Sequence, residues 1–160
     1  MSQLSQKAYE RLLLHVNQME DPPGTNTGPV VEWATDSWYP YLSKTPLKWC
    51  CGAVCTAYAE AGSEFMLDHG TLQVEKLFQA LFVANPSCIS LVENIQTPVI
   101  FPIERGDIIF FGTKNNLHHV GLVDRYDTMS HIIYTLEGNH RDGVFPGMHL
   151  KFYAIGKVPF

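Results

Sequence analysis

Basic residues are scarce in this chain. Eleven lysines and arginines stand against 16 aspartates and glutamates, a formal net charge of −5. They form no cluster, so the chain lacks the positive patch that grips a nucleic-acid backbone or an anionic membrane surface. No nucleic-acid or membrane partner is expected. Long apolar runs are missing too, and no stretch reaches the roughly 20 residues that cross a bilayer. The opening MSQLSQKAYERLLLHVNQMED carries polar residues throughout, without the basic start and apolar centre of a secretory signal. The expectation is synthesis in the cytoplasm, with any export left to a delivery apparatus. Internal repeats and low-complexity segments are absent. Cysteine is limited to four residues, of which Cys50 and Cys51 are adjacent and poorly placed to pair with each other. A chain of this size needs no covalent staples, so no disulfide framework is expected.

What is present describes a globular protein: 46% apolar and 17% charged residues in 160 positions, enough for one domain with a real core. Residues 1–160 read as a single domain, an N-terminal helix over 1–20 followed by a core over 21–160. Leu4, Ala8, Leu12, Leu13, Val16 and Met19 recur at helical spacing. The stretch from Asp21 to Pro29 is dense in turn formers and reads as a loop. A short helix is expected over Val31–Trp38, an irregular connector over Tyr39–Pro46, a buried helix through the cysteine stretch stopping at Gly62, and another helix over Leu72–Val83. The signal then changes. Asp107–Gly112, His119–Val123, His131–Leu136 and Leu150–Ile155 are short, rich in β-branched and aromatic residues, and bounded by Gly, Asp or Asn. Helices first and strands second predict an α+β fold, with N-terminal helices packed on a C-terminal antiparallel sheet.

Three stretches carry chemistry. In LKWCCGAVCTAYAEAG, a helix opening at Trp49 or Cys50 places the Cys50 sulfur where the positive dipole end favours a thiolate. The thiolate is the nucleophilic form. Cys51 and Cys55 lie further along and read as small apolar packing residues. The spacing C-C-x-x-x-C does not match paired zinc ligands, so no metal is expected. The second stretch, LHHVGLV, offers an imidazole base beside an apolar strand; His119 directly precedes the apolar run and is the better candidate, while His118 should face away or sit in a loop. His15, His69, His131, His140 and His149 read as ordinary surface or core residues. The third, YTLEGNH, ends a strand with Glu137 and Asn139 on one face, and either can accept the imidazole N–H and fix its tautomer.

Taken in order, the PPGTNTGP loop, WCCGAV…AG, RGDIIFF, HHVGLV and LEGN resemble the CHAP family (cysteine, histidine-dependent amidohydrolase/peptidase), its phage-type members in particular, within the papain-like NlpC superfamily. The resemblance runs from about Glu20 to the C-terminus. It implies a papain-like layout and carries the nucleophile to Cys50, the base to His119 and the orienting polar role to Glu137 and Asn139. Two positions depart from the family pattern: Ala53, where an aromatic is common, and the Cys51 doublet, which leaves open which sulfur attacks. The resemblance further implies cleavage of an amide bond in bacterial peptidoglycan, as an endopeptidase or N-acetylmuramoyl-L-alanine amidase acting through an acyl-enzyme. Trp33, Trp38 and Tyr41 are candidates to line a cleft around a short peptide, with core packing as the alternative; Trp49 reads as core. Some members bind calcium, but Asp21-Pro-Pro-Gly lacks alternating oxygen ligands, so no cofactor is expected. Partners implied are the cell wall itself, a delivery apparatus (holin, phage tail or secretion system) and, for a toxin, an immunity protein. The alternatives are a catalytically silent binding or structural module, and a cysteine deamidase or acyltransferase with another substrate.

Overall fold

The computed structural model describes residues 2–36, 49–69, 96–97 and 102–158, with only the backbone of 36, 63–69 and 96–97. The expected connector over 39–46 and the helix over 72–83 lie outside them, as do Trp38, Tyr41 and Cys88. The described residues form three helices, α1 (Gln3–Leu13), α2 (Pro29–Asp36) and α3 (Cys50–His69), followed by strands β1 (Gln96–Thr97), β2 (Ile108–Thr113), β3 (Asn116–Asp127), β4 (Ile132–His140), β5 (Gly143–His149) and β6 (Ala154–Gly156). The fold is α+β, helices first and an antiparallel sheet after. None of the described helices is long and apolar enough to cross a membrane.

Ser2 caps α1, its hydroxyl accepting from the Ser5 N–H at 3.0 Å. Leu4, Ala8 and Leu12 present one buried stripe to α3. The helix ends at Leu13, short of the expected Met19, because the chain turns through Asn17 in the left-handed region. Residues 17–20 then run beside β5: Asn17 N–H donates to the Val144 carbonyl, Val144 N–H to that of Gln18, and Glu20 N–H to that of Asp142.

Helix α3 is the centre of the molecule. From Cys50 to Tyr58 every residue is buried, and the small side chains Ala53, Ala57 and Ala61 let α1, α2 and the sheet close in from several sides. Tyr58 reaches out of it to donate to the Gly106 carbonyl at 2.6 Å. The expected stop at Gly62 does not occur, and the helix continues to His69. One glycine inside a helix costs only about 1 kcal/mol relative to alanine, which the burial of Ala57, Tyr58 and Ala61 in the turn before it outweighs.

The sheet has the order β1-β6-β2-β3-β4-β5. Alternation divides its apolar residues between two faces. Ile108, Phe110, Val120, Leu122, Leu136 and Val144 pack into the main core with the helices, while Ile109, Phe111, Val123, Ile133 and Ile155 form a smaller cluster. The strand expected over Leu150–Ile155 is displaced: β5 lies before it, β6 begins at Ala154, and 150–153 is not strand. Pro146 makes β5 unlike a strand in sequence, yet β5 lies at the sheet edge, where a missing N–H is tolerated.

Candidate active site

The first intrahelical bond of α3 runs from the Ala53 N–H to the Trp49 carbonyl at 2.9 Å, which makes Cys50 the first helical residue. Trp49 fixes that start. Its ring is fully buried and its indole N–H donates to Glu20 at 2.8 Å. The second Glu20 oxygen accepts from the Asn26 N–H at 2.9 Å, so one buried carboxylate ties the 21–28 loop to the helix start.

Opposite Cys50 stands His119, with a side-chain hydrogen bond between them. In β3, His119 pairs in register with Phe111 of β2, and the two rings stack at 5.8 Å. His119 Nε2–H donates to Glu137 Oε2 at 2.6 Å, leaving Nδ1 as the nitrogen available to the sulfur. Glu137, on β4, is completely buried. Its other oxygen accepts from His149 Nε2–H at 2.5 Å and from the Thr135 hydroxyl. His140 Nδ1 lies 3.6 Å from Oε2. The carboxylate fits because Gly121 lies beside it: a Cβ there would come within 2.7 Å of Glu137 Cγ.

The electrostatics follow from this geometry. Burial works to raise the Glu137 pKa, but hydrogen bonds from His119, Thr135 and His149 outweigh it and hold the group down at about 2. Burial works to lower that of His119, yet Cys50 and Glu137 together raise it to about 9. For His140 burial wins and its pKa is lowered. Glu137 and His119 therefore hold each other charged at neutral pH.

A cleft of about 680 Å³ opens over these groups. Its lining includes Cys50, His119, Glu137, Asn139, His140 and His149. Compared with family models, curated proteins and solved structures, the chain matches none of them. The site is accordingly defined by its own geometry.

Four of the residues singled out in the sequence, Cys50, His119, Glu137 and Asn139, come together in this cleft. Glu137 is the one bonded to His119. Asn139 sits in a bulge between Glu137 and His140, with φ of 57°, so the two do not share a face by simple alternation as expected. Trp33 is not brought to the cleft: it stacks on His15 at 3.8 Å and donates to Glu60 at 2.9 Å on the helical side. His118 does not turn away; it lies in β3 and lines the cleft. The sequence reading missed His140 and His149, both taken as ordinary. No local signal marked His149, because Pro146 hid the strand character of the segment that carries it. Cys51 and Cys55 are buried within the core, 3.9 Å apart.

Proposed function

We propose that this protein is a cysteine amidohydrolase of papain-like layout that cuts an amide bond in the peptide part of bacterial peptidoglycan. The observation that carries the catalytic reading is the chain of contacts from Cys50, at the first position of a helix, through His119 to the buried Glu137. Nucleophile, base and orienting group stand in the order this chemistry requires. The choice of cell wall as substrate rests on the CHAP resemblance of the sequence, and so does the need for a delivery apparatus and, in a toxin, an immunity protein.

In this mechanism the Cys50 thiolate attacks the carbonyl carbon, and the backbone N–H at the helix start helps to hold the oxyanion. His119 gives its Nδ1 proton to the leaving amine, and the C–N bond breaks to leave a thioester on Cys50. His119 then takes a proton from water, whose oxygen attacks the thioester, and the acid departs as the thiolate is restored. Throughout, Glu137 keeps Nε2 protonated and Nδ1 facing the sulfur.

Purified sacculi incubated with the protein test this. Wild type is expected to release soluble muropeptides and Cys50→Ala to release none. Mass spectrometry then tells a cut at muramic acid–L-alanine from one within the stem or crossbridge. Absence of release by wild type, with Cys50 alkylated no faster than an ordinary thiol, overturns the reading.

A further inference from the structure

Glu137 is approached by more imidazoles than a catalytic triad uses. His119 Nε2 is 2.6 Å from Oε2 and His140 Nδ1 is 3.6 Å from the same oxygen, and one ligand atom from each of His119, Glu137 and His140 falls within 4.8 Å of the others. His149 holds the opposite carboxylate oxygen at 2.5 Å, orienting the group from behind. Two imidazoles and a carboxylate converging at the wall of an open cleft are a donor set suited to a borderline divalent cation. A tetrahedral zinc site places ligand atoms about 3–3.5 Å apart, as follows from bonds of about 2.0–2.2 Å. His140 Nδ1 and Glu137 Oε2 already stand near that spacing at 3.6 Å, His119 Nε2 would draw back from its 2.6 Å contact with Oε2, and the open cleft would leave the fourth position to water.

We infer that His119, Glu137 and His140 form a site for Zn2+ that switches the Cys50–His119 pair off. The ion enters on the Nε2 side of His119 and takes the place of the proton shared with Glu137. That proton leaves to solvent. Nδ1 stays protonated, but the metal holds the ring as a neutral imidazole whose remaining N–H is a far weaker acid than an imidazolium, so His119 no longer gives a proton to the leaving amine. Cys50 faces the other nitrogen and is not a ligand. The sequence showed no such site because its zinc test rested on cysteine spacing, whereas these ligands come from two strands and a bulge.

The site itself does not depend on the hydrolase reading; its effect on turnover does. Isothermal titration of the whole chain with zinc chloride separates them. Wild type and Cys50→Ala are expected to bind one ion with equal affinity, His140→Ala to bind it about tenfold or more weakly, and His131→Ala, a surface control, to match wild type. His140→Gln, which keeps most of the volume, serves if His140→Ala melts early. Cobalt as a spectroscopic stand-in should give the same visible spectrum in wild type and Cys50→Ala. Zinc should also inhibit sacculus digestion by His140→Ala less, relative to that variant's own zinc-free rate, than digestion by wild type. Equal zinc affinity of wild type and both His140 variants, or a thiolate-to-cobalt band lost in Cys50→Ala, overturns the inference. Zinc binding by Cys50→Ala together with intact sacculi under wild type leaves the metal site standing and removes the hydrolase; digestion without zinc binding does the reverse.

Discussion

At the scale of single residues, the three sulfurs of the cysteine stretch part company. Cys50 opens the helix and meets an imidazole, while Cys51 and Cys55 are enclosed in the core. Iodoacetamide near neutral pH is therefore expected to label Cys50 well ahead of the other two, which peptide mapping resolves. The orienting role makes a second prediction. Glu137→Gln keeps the shape but loses the charge that sustains the imidazolium, and should slow turnover by about 10²–10⁴-fold. Asn139→Ala, which removes no bond to His119, should slow it much less; equal losses in the two variants would refute the assignment to Glu137. Residue type and order brought out Cys50, His119 and the pair Glu137 and Asn139 as candidates; that Glu137 is the one bonded to His119 came only from the fold. His140 and His149 were not legible, because their meaning comes from a bulge in β4 and the register of β5, neither of which leaves a local mark.

At the scale of elements, the site depends on how closely α3 approaches β4. Gly138 is the contact point: a Cβ there would lie 2.5 Å from Ala53 Cβ and 3.1 Å from the Trp49 ring. Gly138→Ala is expected to destabilise the protein by about 1–3 kcal/mol through overpacking. It should also cut activity sharply by moving Cys50 away from His119; urea unfolding and a turnover assay read the two effects. The other support of the helix start is Glu20. Trp49→Phe leaves that buried carboxylate without one of its donors and should cost about 1–3 kcal/mol, measured the same way. Here sequence reading did well on strong patterns and poorly on boundaries. The strands β2, β3 and β4, rich in β-branched and aromatic residues, were visible. The end of α1, the passage of α3 through Gly62 and the strand around Pro146 were decided by tertiary packing, which overrides local preference.

For the whole molecule, the contacts of His119 with Cys50 and Glu137 link stability to pH. The His119 pKa is raised to about 9 from 6.5, so its contribution is complete below about pH 6.5 and disappears as pH rises through about 9. The Glu137 pKa is lowered to about 2 from 4.5, so its contribution is complete above about pH 4.5 and disappears as pH falls through about 2. Between these limits both act in full. Thermal melts of wild type and Glu137→Gln across pH should differ most there, converge as pH falls through about 2, and narrow in part as His119 loses its proton near pH 9. Turnover, which needs a proton on His119 for the leaving amine, should decline on the alkaline side near pH 9. The overall class, α+β with helices leading, followed from the order of patterns along the chain, since helical spacing marks the first part and short runs rich in β-branched and aromatic residues the last.

The strip of chain that runs from Asn17 to Glu20 along β5 has a bearing on the order of biosynthesis. Its hydrogen-bonding partners, Asp142 and Val144, leave the ribosome long after it does. So do Glu137, on which His119 relies, and His149, which steadies Glu137. A nascent chain thus carries the cysteine early but the means to activate it late. Ribosome-stalled chains of increasing length should show an ordinary thiol at Cys50 until β5 has emerged, and a fast-reacting one afterwards.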